Sequence, residues 1–97
     1  MRGVQPYRTR PRIISEVLSK AHASGEDGGA NISGFMKSCN LSYSGAVSLL
    51  SELVGAGLLV ESRDERLTRY RISERGSLFL EKYGKLQEFL QAYGLRM

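Results

Sequence analysis

Apolar positions along the chain change period twice, and the changes divide it into elements. Ile13, Ile14, Val17, Leu18 and Ala21 recur at helical spacing behind Pro11, which sits where a helix tolerates a missing N–H. This first helix should end near Ser24. The stretch Ser24-Gly25-Glu26-Asp27-Gly28-Gly29 is too rich in glycine and acid to stay helical and reads as a loop. Asn31 is a natural N-cap for a second, short helix. Its apolar face is Ile32, Phe35, Met36 and Cys39, at i, i+3, i+4 and i+7. Asn40 and Leu41 connect it to Ser42, a second cap. Ala46, Leu49, Leu50 and Leu53 then form a third buried stripe, closed by Gly55 and Gly57.

Beyond Gly57 the pattern shortens. Leu58–Ser62 reads as a strand and Arg69–Ser73 as a second with one wet face. The polar tip Arg63-Asp64-Glu65-Arg66-Leu67-Thr68 joins them into a β-hairpin. Ser73 caps a long final helix with Glu74 in its first turn, where an acid suits the helix dipole. Phe79, Tyr83, Leu86, Leu90 and Tyr93 follow one another at intervals of 4, 3, 4 and 3, a heptad seam flanked by Leu78, Leu80 and Phe89.

The predicted fold is mainly α with a small β-hairpin (α+β). Three parts follow: a basic flexible arm (1–11), a helical domain with the hairpin (12–73) and a C-terminal helix (74–97). Helices two and three, separated by a few residues, have helix-turn-helix form, and the hairpin after them stands where a wing would. Such a pair presents its second helix to the DNA major groove, which is wide enough for one helix.

Composition narrows the function classes. The 97 residues, 41% hydrophobic and 25% charged, suit an ordinary globular chain. No apolar run is long enough for a membrane span, and no signal core follows the basic N-terminus. One cysteine excludes an internal disulfide, and Cys39 with His22 cannot complete a zinc site. An intracellular, reducing setting is therefore expected, specifically a cytoplasmic, nucleoid-associated one. No Ser/His/Asp or Cys/His grouping, metal spacing or phosphate-cradling loop is visible, so no enzyme activity, metal, cofactor or small-molecule effector is expected.

Charge adds a location. The net charge is +4, and residues 1–12 hold Arg2, Arg8, Arg10 and Arg12 with no acid. The remainder balances at ten basic and ten acidic residues. An arginine arm suits a polyanion, because guanidinium forks match phosphate oxygens; a merely solvated leader is the plain alternative. In the hairpin, Arg63, Arg66, Arg69 and Arg71 are placed to meet phosphate or the minor groove, although Arg63 and Arg66 also bracket Asp64 and Glu65.

The runs Asn40-Leu41-Ser42-Tyr43, Leu50 and Leu53, Gly57-Leu58-Leu59 and Tyr70-Arg71-Ile72-Ser73-Glu74-Arg75-Gly76 resemble the archaeal winged helix-turn-helix DNA-binding regulators. Those carry an N-L-S-Y turn, a G-L strand start and a Y-x-[IL]-[ST]-x-x-G lead into the last helix. The resemblance spans roughly residues 12 to 95. It includes small dimeric chromatin-type members with a C-terminal antiparallel coiled coil. It implies a winged helix-turn-helix with a long C-terminal dimerisation helix. The function it implies is a homodimeric transcriptional regulator or chromatin organiser on double-stranded DNA. Helix 42–56 would enter the major groove, with the wing (62–69) on the backbone or minor groove.

Relatives usually carry basic residues on that helix, whereas residues 40–57 here hold no Lys or Arg and only one acid, Glu52. Base contact would fall to Ser42, Tyr43, Ser44, Ser48 and the neighbouring Ser51. Lys37, Arg63, Arg66, Arg69, Arg8, Arg10 and Arg12 would hold the backbone. Ser42 doubles as a cap, and Tyr43 either meets DNA or packs on the second helix. Dimerisation would use Phe79, Tyr83, Leu86, Leu90 and Tyr93, with the first turns of that seam folding back on the first helix. The uncharged third helix also fits a different class, a winged-helix protein–protein interaction module without direct DNA binding.

Overall fold

The computed structural model describes residues 8–95. Arg2 and Pro6 of the expected arm therefore lie outside the described residues. The order is α1 (Arg10–Ala23), a 3₁₀ turn (Gly25–Asp27), α2 (Ile32–Cys39), α3 (Tyr43–Gly55), β1 (Leu59–Arg63), β2 (Thr68–Ile72) and α4 (Glu74–Ala92).

Side-chain caps set the helix starts. Asn31 Oδ1 accepts from Gly34 N–H at 2.9 Å, Ser42 Oγ from Gly45 N–H at 3.0 Å and Ser73 Oγ from Gly76 N–H at 3.0 Å. Each satisfies a donor that the first helical turn leaves without a partner. Thr9 caps α1 in the same manner, accepting from Arg12 N–H at 3.3 Å. The helix thus begins at Arg10, one residue before Pro11, where the sequence pattern starts it. Asn40 ends α2 in the left-handed region at φ 55°, which turns the chain directly into the Ser42 cap.

The hairpin is antiparallel, with Leu59 opposite Ile72 and Arg63 opposite Thr68. Both strands are offset by one residue from the expected Leu58–Ser62 and Arg69–Ser73. The cause is the turn. Asp64 Oδ1 accepts from the N–H groups of Arg66 and Leu67 at 3.0 and 2.9 Å. That contracts the connection to residues 64–67 and draws Arg63 and Thr68 into the ladder. At the other end, Leu58 is engaged with the α3 terminus, its N–H donating to Leu53 O at 2.9 Å.

A third strand position lies in the glycine-rich loop. Ala30 and Tyr70 exchange both backbone hydrogen bonds, at 3.0 and 2.8 Å, so the hairpin is bridged to the helical body. Gly29 makes the approach possible. Its φ is +113°, and a Cβ there would stand 2.5 Å from Tyr70 O.

Val17, Leu18 and Ala21 of α1, Phe35 and Cys39 of α2, Leu49, Leu50 and Leu53 of α3, and Leu59 and Tyr70 of the hairpin form one core. Phe35 and Tyr70 meet edge to face, with ring centroids 6.1 Å apart. Gly76, at the root of α4, is buried; a side chain there would strike Leu58 O and stand 2.7 Å from Ile72 Cγ1. The final helix therefore rests on the hairpin base.

The apolar residues of α4 do not share one environment. Phe79 and Tyr83 are half-buried, their rings stacked at 6.0 Å, and Leu90 is half-buried. Leu86 and Tyr93 are exposed, together with Leu78 and Phe89. The stripe left uncovered in the single chain is thus Leu78, Leu86, Phe89 and Tyr93, of which Leu86 and Tyr93 belong to the heptad read in the sequence. Helix α1 packs on α4, and Phe79 and Leu80 lie against the core.

Candidate nucleic-acid interface

Helix α3 buries Ala46, Leu49, Leu50 and Leu53 and leaves Ser42, Tyr43, Ser44, Val47, Ser48 and Ser51 in solvent. The period of 3.6 makes this one continuous outer face. Tyr43 is 63% exposed, so much of the residue is open to solvent at the start of α3. Its edge borders a shallow cleft of about 350 Å³ that also involves Asn31, Ile32, Ser33 and Met36 from the α2 segment and Leu67 and Thr68 from the hairpin tip. The start of α3 and the wing therefore share one concavity.

Strand alternation divides the hairpin arginines between two faces. Glu61 and Arg63 share a face with Tyr70 and Thr68, whereas Ser62 lies with Arg69 and Arg71 on the other. Arg63 Nε donates to Thr68 Oγ1 at 3.2 Å, on the side that borders the cleft with Tyr43. Arg66 is exposed at the tip. Arg69 Nη1 lies 3.3 Å from Asp64 Oδ2, so its charge is partly met within the wing. Lys37 is exposed on α2.

Asp64 organises this tip. The N–H groups of Arg66 and then Leu67 hold its carboxyl below the usual carboxylate range, with Arg69 adding to the effect. A carboxyl lowered on folding contributes above the usual range and loses that contribution as pH falls through its folded value. The wing turn should therefore stay closed at neutral pH and open only in strong acid. Asp64→Ala should speed amide exchange at Arg66 and Leu67 near neutrality, read by NMR, while exchange in α3 stays unchanged.

The N-terminal arginines are engaged with acids. Arg8 pairs with Glu16 and donates to Asn40 O at 3.4 Å, Arg12 Nε lies 3.5 Å from Glu16 Oε2, and Arg10 pairs with Glu52. At the root of the expected arm, Arg8 and Arg10 tie the start of α1 to the helix-turn-helix through Asn40 and Glu52, while Arg12 pairs with Glu16 within α1. Exposed pairs of this kind contribute only about 0–1 kcal/mol each. Their electrostatic consequence is larger, since Arg10 neutralises the one acid on α3.

Cys39 is buried, and burial first and Glu16 second push its thiol up, away from the reactive thiolate. Among the described residues no three of His, Cys, Asp and Glu are grouped to hold a metal ion, and no helix is long and apolar enough to cross a membrane.

Residues 7–91 match the family model described as winged helix-turn-helix. The chain belongs to the winged helix-turn-helix family. Its fold is similar to that of Sso10a-2, a DNA-binding protein from Sulfolobus solfataricus, with a TM-score of 0.70, 22% identity and 90% of each chain covered. It is also similar to a MarR family protein from Bacillus stearothermophilus, with a TM-score of 0.64 and 24% identity. That match covers 92% of this chain and 60% of the other. None of the curated proteins matches the chain. Within the winged-helix frame, α2 and α3 are the helix-turn-helix and β1–β2 the wing.

Sequence reasoning did not find the cleft residues Asn31, Ile32, Ser33 and Met36, because only the tertiary fold brings the hairpin tip against α2. The Ala30–Tyr70 bridge left one signal, the paired Gly28-Gly29. The partners of the arm arginines left none.

Proposed function

We propose that this winged-helix chain binds double-stranded DNA as a homodimer and acts as a transcriptional regulator or chromatin organiser on the nucleoid. The outer face of α3 enters the major groove. Arg63 and Arg66 contact phosphates or the minor groove from the wing, with Arg69 and Lys37 beside them. The observation that carries this reading is the placement of the uncovered α3 face and the arginine-bearing hairpin around one cleft. The DNA-binding role of the similarly folded Sso10a-2 supports it.

Arg8, Arg10 and Arg12 contribute in a secondary role, since reaching phosphate requires them to exchange Glu16 and Glu52 for DNA. Ser42 and Tyr43 stand at the helix start, where backbone N–H groups and the helix dipole favour a phosphate. Ser44 and Ser48 face the bases. The exposed stripe on α4 joins two copies, which sets two α3 helices on one face of the duplex.

The test is a fluorescence-anisotropy titration of random duplex DNA across a salt series. Neutralising Z phosphates gives a log–log slope near −0.9Z. Arg63→Ala/Arg66→Ala should weaken binding about tenfold or more and reduce the magnitude of the slope by about 2. Binding by the double variant identical to wild type would remove the wing from the interface. Absence of binding by either protein would favour the protein–protein module, the reading that the uncharged face of α3 supports.

A further inference from the structure

One aliphatic side chain reaches the outer face of α3. Val47 is 38% exposed, between Ser44 and Ser51 and beside Ser48. Its surroundings are unusual for a surface helix. No Lys or Arg lies between residues 40 and 57, and the one acid, Glu52, is paired with Arg10. The helix itself, Tyr43–Gly55, has no Asn or Gln.

That composition limits what the face can read. Guanine is read by a bidentate Arg or Lys, adenine by a bidentate Asn or Gln, and cytosine by a carboxylate. Serine hydroxyls donate or accept and discriminate weakly. The one base-edge feature that an apolar side chain recognises in the major groove is the thymine methyl group. Resting on the proposed DNA-binding reading, we infer that Val47 is a specificity-determining residue whose ligand is the thymine 5-methyl group. The chain then prefers thymine-bearing duplex, while the flanking serines tolerate whichever pair lies beside it.

The experiment compares two duplexes of one mixed sequence, about two helical turns long. One carries thymine and the other deoxyuridine, which lacks only the methyl group. Affinities are measured by anisotropy with the full chain and with Val47→Ser, a change at an exposed position. A buried methyl contributes about 0.8 kcal/mol, so each methyl contact should favour the thymine duplex about fourfold. Val47→Ser should bind both duplexes equally, at the affinity of wild type for the deoxyuridine duplex. Equal, salt-dependent binding of both duplexes by wild type would overturn the assignment of Val47 and leave DNA binding intact. Persistence of the preference in Val47→Ser would also overturn it. No binding of either duplex would overturn the DNA-binding reading and this inference with it.

Discussion

Gly29→Ala should lower the melting temperature of this protein by roughly 10–45 °C. Two costs combine at that position. An alanine held in the left-handed region is strained by about 1–3 kcal/mol. Its Cβ would also stand 2.5 Å from Tyr70 O, a backbone atom that can move only if the Ala30–Tyr70 bridge opens. Overpacking of this kind costs about 1–3 kcal/mol more. Each kcal/mol shifts the midpoint of a domain this size by about 4–8 °C. Gly28 is the internal control: its φ is +80°, and a Cβ there would meet nothing within 4 Å. Gly28→Ala should therefore show the strain alone, near the lower end of the same range. Thermal unfolding followed by circular dichroism separates the two. Equal effects at positions 28 and 29 would mean that the close approach to Tyr70 is not what requires glycine.

Leu86→Glu/Phe89→Glu should convert the proposed dimer into a monomer of 10.8 kDa at micromolar concentration, measured by sedimentation. Phe89 and Tyr93 are 59% and 68% exposed, their ring centroids 5.0 Å apart, and they continue the stripe begun by Leu78 and Leu86. At its proximal end the stripe runs into an apolar trough of about 450 Å³ walled by Pro11, Leu58, Phe79 and Tyr83, with Arg75 and Lys82 beside it. So much contiguous apolar surface on a small chain marks an interaction face. Because both substituted side chains are already in solvent, the fold itself should change by less than about 0.5 kcal/mol. Losing the second copy removes the bivalent attachment to DNA, so affinity should fall on the order of a hundredfold. A wild-type protein that sediments as a monomer would leave the stripe for another partner.

Local chemistry made much of this fold legible. Asn31, Ser42 and Ser73 are short polar side chains placed just before apolar periodic runs, and each accepts the backbone hydrogen bond that starts its helix. The stripes of α1, α2 and α3 converge on one core because each is a 3.6-period pattern with a single buried side. The wing was visible as a change of period, but its register was not. That register depends on one carboxylate, Asp64, taking two backbone donors across the turn.

What remained hidden is tertiary. Which side of α4 is covered depends on where α1 ends up, and no spacing within α4 encodes that. The positive residues of the arm look free in one dimension, yet Arg10 reaches Glu52 across 42 positions of sequence and Arg8 reaches Asn40 across 32. For the candidate interface, the serines and Tyr43 of α3 could be named because the helix-turn-helix order implies which helix is outermost. Spacing alone also puts Val47 on that outer face, and its partial exposure agrees.

The most direct test is an NMR titration of the isotope-labelled full chain with random duplex DNA. Two regions should report binding: the α3 segment from Ser42 to Ser51 and the wing from Arg63 to Arg71. Amides on the exposed stripe of α4, including Leu86 and Phe89, should keep their positions, since that surface faces the second copy. Shifts centred on α4 with none in α3 or the wing would contradict the account.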